Sequence, residues 1–114
     1  SMIDDSMKYL YALPLGGTAV GTGLNAPAGF DRAAVKCLSE IYGLPFVPAK
    51  DKFAGLSSKN AALNFHGALN TLAADLLKIA GDVRFLACGP DTGIAEISLP
   101  ANEPGSSIMP GKVN

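Results

Sequence analysis

Ser106, Ser107, Lys112 and Asn114 place two hydroxyls, an ammonium and a side-chain amide within nine residues. Glycine and proline punctuate the same stretch at both ends, as Pro104-Gly105 and Pro110-Gly111. A backbone of that kind can turn sharply, present consecutive N–H groups to an anion and move as a lid. The segment therefore reads as a carboxylate-binding loop, the alternative being an ordinary surface turn. It is not a phosphate loop of the Walker type. Five residues separate Gly105 from Gly111 where that motif has four, and Val113 stands where Ser or Thr should bind Mg²⁺.

Other constellations carry less. Gly21-Thr22-Gly23-Leu24-Asn25-Ala26 has the form G-x-G-x-x-A, but Pro27 and Gly29 follow it, so no helix opens there to offer free N–H groups to a pyrophosphate. His66 is the only histidine, and no Ser, Cys or carboxylate lies at a spacing that would make it a catalytic pair. It is expected to be a packed or capped histidine within a bundle. Asp75, Lys78 and Asp82, at helical offsets of 3 and 4, are expected to form a polar stripe or a buried pair. Cys37 and Cys88 are too few for a disulfide framework and stand in no C-x-x-C or Cys/His metal spacing, so both read as reduced packing residues. No metal site and no cofactor is expected.

The elements that must position the loop are helices. Ile3 to Leu13 fits the last turns of a helix ended by Pro14 and Gly16-Gly17, either capped by Asp4 or Ser6 or the tail of a longer helix; Ser1 before Met2 reads as a cloning remnant. A glycine-rich loop runs from Gly16 to Gly29. Asp31 then has the character of an N-cap, with Phe30 stapling onto Val35, and the helix that follows should end at Gly43 and Pro45. The third segment is the strongest. Ala62, Phe65, Leu69, Leu72, Leu76, Ile79, Val83 and Leu86 succeed one another at steps of 3, 4, 3, 4, 3, 4 and 3, an unbroken heptad seam. It predicts a long helix over about 56–88, roughly 37 Å or more in length. Small residues flanking the seam mark an interior member of a bundle. Beyond Cys88-Gly89-Pro90 the chain reads as loop, with at most one short strand around Ile94 to Leu99. The fold class is all-α, a long-helix bundle with a loop-rich C-terminal segment at 105–114, and the whole of 1–114 is one piece of it.

Composition sets the outer limits. The 114 residues carry 9 Lys+Arg against 10 Asp+Glu, a net charge of −1, with no basic run to meet nucleic acid or a membrane surface. Apolar runs are far short of the roughly 18 to 20 residues that span a bilayer. The expected protein is soluble, with neither nucleic acid nor membrane as partner. Yet only 17% of residues are charged, against roughly 25% in ordinary domains, and mean hydropathy is +0.26. A chain of this size cannot bury so much apolar surface alone, so it should be an oligomer or part of something larger.

Gly105-Ser106-Ser107-Ile108-Met109-Pro110-Gly111-Lys112-Val113-Asn114 resembles the signature of the fumarase/aspartase superfamily, and Gly16-Gly17-Thr18-Ala19-Val20-Gly21-Thr22-Gly23-Leu24-Asn25 is similar to a second block of it. Leu44-Pro45-Phe46-Val47, His66-Gly67-Ala68-Leu69-Asn70, Lys78-Ile79-Ala80 and Asp82-Val83-Arg84-Phe85-Leu86 fill the interval as the class II fumarate hydratases do. The resemblance covers almost the whole chain. Members of the family are several times longer, so the chain is expected to be an internal fragment of their central helical domain.

The resemblance implies reversible hydration of fumarate to L-malate, a step of the tricarboxylic acid cycle, through a carbanion delocalised into the adjacent carboxylate. It implies Ser106 as the base that takes the C3 proton, and Ser107, Lys112 and Asn114 as ligands of the substrate carboxylates. The acid partner it implies is a histidine of an upstream segment outside this sequence, and His66 does not match that motif. It further implies a homotetramer built through long helices, with active sites shared among subunits, in the cytoplasm or, in a eukaryote, the mitochondrial matrix. The isolated fragment is expected to be inactive. Two alternatives stand beside this. One is an aspartate ammonia-lyase-type member, whose loop typically has Ala where this one has Gly111. The other is a purely structural oligomerising helical module.

Overall fold

The computed structural model describes residues 1–91, 93–100 and 104–109. The chain divides into two compact units, Ser1–Leu72 and Ala73–Asn114. Its elements are α1 (Met2–Leu10), β1 (Ala12–Leu13), α2 (Phe30–Tyr42), β2 (Val47–Pro48), α3 (Lys52–Ser57) and α4 (Asn60–Ala87). The all-α class holds, with one two-stranded parallel pairing added.

In the first unit, α1 opens on a capping box in which the Asp4 N–H donates to the Ser1 hydroxyl while the Asp4 carboxylate reaches back to the cap. Neither Asp4 nor Ser6 is the cap, contrary to the sequence expectation. Ser6 is buried and donates its hydroxyl to the Ile3 carbonyl at 2.7 Å. The helix also stops three residues short of Leu13, at Leu10. The reason lies in Pro14, whose ring disfavours helical backbone at the residue before it. The chain becomes extended there, and its freed carbonyls are taken by β2. Val47 N–H donates to Tyr11 O and Ala49 N–H to Leu13 O, each at 2.8 Å. Tyr11 and Phe46 meet edge to face beside this pairing, their ring centres 5.9 Å apart.

α2 ends as its sequence predicts. Gly43 adopts left-handed backbone at φ 64° and donates its N–H to the Ser39 carbonyl. Its start differs, because Gly29, at φ 78°, occupies the cap and Asp31 falls inside the first turn. Val35 is the one large side chain of the described residues to be fully buried, and Ala49 and Ala68 are the other buried apolar residues. After β2, the Asp51 carboxylate caps α3 by accepting from the Ala54 N–H at 3.0 Å. Ser58 then turns extended, so the helix expected over 56–88 is broken before it begins and α4 proper starts at Asn60.

At 28 residues, α4 is about 42 Å long. Its seam is poorly covered: Leu69, Leu72, Leu76 and Ile79 are 40%, 43%, 54% and 56% exposed. Within the second unit, the carbonyls that α4 leaves open at its C-terminal end are partly satisfied by the chain folding back. Ala95 N–H donates to Cys88 O at 2.8 Å and Glu96 N–H to Leu86 O at 3.0 Å. Gly93 permits that return, since a Cβ there would run into the Cys88 carbonyl. The described residues from Ile94 to Leu99 form no strand.

Candidate active site

The signature segment lies in the second unit, and of its four predicted functional side chains two are described. Ser106 is half-buried and Ser107 exposed. The Ser106 hydroxyl accepts the main-chain N–H of Ile108 at 3.3 Å. This local turn aims a fixed donor at the one oxygen for which a base role is expected. A hydrogen bond to an anionic oxygen is roughly twice as strong as one to a neutral oxygen, so the same donor favours an alkoxide over a hydroxyl. Ile108, beside it, is 85% exposed. Lys112 and Asn114 fall outside the described residues.

The glycine-rich block has a different geometry, within the first unit. A cleft of about 550 Å³ is lined by Gly21, Thr22, Phe30, Asp31, Lys52 and Phe53 among others. Gly21, buried at φ 101°, is indispensable to it, because a Cβ would lie 2.8 Å from both the backbone N and Cα of Phe53. Asp31 and Lys52 close the cleft on one side through a half-buried ion pair of 2.7 Å. The Lys52 ammonium, and after it the N–H of Arg32, hold the Asp31 carboxyl below the usual carboxylate value of 3.8. This pair was missed in the sequence. Its partners are 21 residues apart, beyond any helical or strand spacing, and Asp31 had a plausible local role as a cap.

His66 is exposed rather than packed, because the face of α4 on which it stands has no covering element among the described residues. Cys37 and Cys88 are free thiols and also exposed, so neither is a packing residue. Lys78 pairs with Asp82 one turn away on the open surface of α4, the polar stripe of the two expected outcomes.

A family model described as lyase matches residues 1–114. The chain is 61% identical over 112 residues to the class II fumarate hydratase of Brucella suis, covering 98% of this chain and 24% of that protein. It is 54% identical over 112 residues to the mitochondrial fumarate hydratase of Rhizopus oryzae, covering 98% of this chain and 23% of that protein. Among solved structures, the recombinant class II fumarase of Schistosoma mansoni superposes with a TM-score of 0.82 at 42% identity, over 99% of this chain and 27% of that one. The chain thus spans about a quarter of the length of the relatives it matches.

Proposed function

This chain belongs to the lyase family whose model matches residues 1–114, and we propose that it is the segment of a class II fumarate hydratase carrying the base-bearing loop. The observation that carries the reading is Gly105–Asn114, with Ser106 held on a main-chain donor, in a chain 61% identical to a class II fumarate hydratase. The whole protein would interconvert fumarate and L-malate.

In the dehydration direction, the Ser106 alkoxide takes a proton from C3 of malate. The electron pair left on C3 spreads into the C4 carboxylate and then forms the C2–C3 double bond. The C2 hydroxyl leaves as water once an acid from another part of the protein has protonated it. Charge accumulates on oxygen along this path, so the site must hold donors and a cation where it grows. Ser107, Lys112 and Asn114 fill that role by binding the substrate carboxylates. A serine is a weak base unaided. Each unit by which its pKa is lowered requires about 1.4 kcal/mol of preferential stabilisation of the alkoxide. The single Ile108 N–H supplies on the order of 1 kcal/mol. Most of the lowering therefore falls to Lys112, the cation proposed for the site.

The exposed leucines of α4 support assembly through long helices, with a homotetramer as the proposed form. No helix among the described residues is long and apolar enough to cross a membrane. The compartment we assign is the cytoplasm, or the mitochondrial matrix in a eukaryotic source. The test is the full-length protein containing this segment, assayed with fumarate, malate and aspartate in parallel. Malate formation from fumarate without ammonia release from aspartate supports the reading, and ammonia release from aspartate with no hydration overturns it.

A further inference from the structure

We draw no further inference here: the strongest candidate, the exposed apolar face that Leu76, Leu77 and Ile79 present on the long helix α4, carries nothing because the structure does not show what covers it.

Discussion

Replacing Leu76 and Ile79 together by alanine should dissociate the chain without unfolding its helix. The two side chains are 54% and 56% exposed, so about half of each is still in water and available to a partner. Full burial of a Leu or Ile is worth about 1.5 to 3 kcal/mol, and the remaining half therefore about 1 kcal/mol per side chain. In a symmetric pairing each substitution acts twice. Four side chains are lost at the interface, close to 4 kcal/mol, which corresponds to a roughly thousandfold weaker dissociation constant. Alanine is the best helix former, so helix content should be kept or raised. Sedimentation velocity across a micromolar concentration series, with far-ultraviolet circular dichroism as the control, reads both effects. The expected result is an oligomer for the unsubstituted chain and a shift toward monomer for the variant at equal helicity. A compact, cooperatively unfolding monomer before any substitution would refute the reasoning, since it would show the seam already satisfied within one chain.

The isolated 114-residue chain should not hydrate fumarate above background, because acid and base must both lie within hydrogen-bonding reach of substrate and the proposed reading assigns only the base to this segment; malate production by a preparation free of the full-length protein would contradict this. Gly21→Ala should destabilise the first unit by about 2 kcal/mol or more, from left-handed strain of roughly 1 to 2 kcal/mol plus the contact with the Phe53 main chain. An unchanged denaturant midpoint would show that the loop yields. Asp31→Asn should flatten the acid side of the stability profile. The folded pKa of Asp31 lies below 3.8, so its contribution is complete above that value and is lost as pH falls through the folded pKa. Asp4 and Asp5, likewise lowered by their local partners, keep part of the acid slope in the variant. Superimposable profiles for the variant and the unsubstituted chain would remove Asp31 from the account.

What was legible in the sequence was what local chemistry decides. Gly43 ends α2 because a left-handed residue is needed there and glycine supplies it without strain. The seam from Ala62 to Leu86 lies within one helix because a single 3-4 repeat admits no other element. What escaped was non-local or in competition. The β1–β2 pairing joins residues with no sequence relation, and only the neighbouring Pro14 signalled that Leu13 would leave the helix. Asp31 pairs with Lys52, far away in the sequence, as well as with the Arg32 N–H of its own first turn. His66 and the two cysteines were misjudged for another reason. Residue type and spacing do not say whether anything covers a side chain, and among the described residues these three are exposed.

Removal of the C3 proton by Ser106 is tested most directly by the steady-state kinetics of Ser106→Ala in the full-length protein. A base acts in the transition state, so kcat should fall by orders of magnitude while KM stays within a few-fold. If kcat is retained and KM alone rises, Ser106 is a ligand of the substrate and not the base.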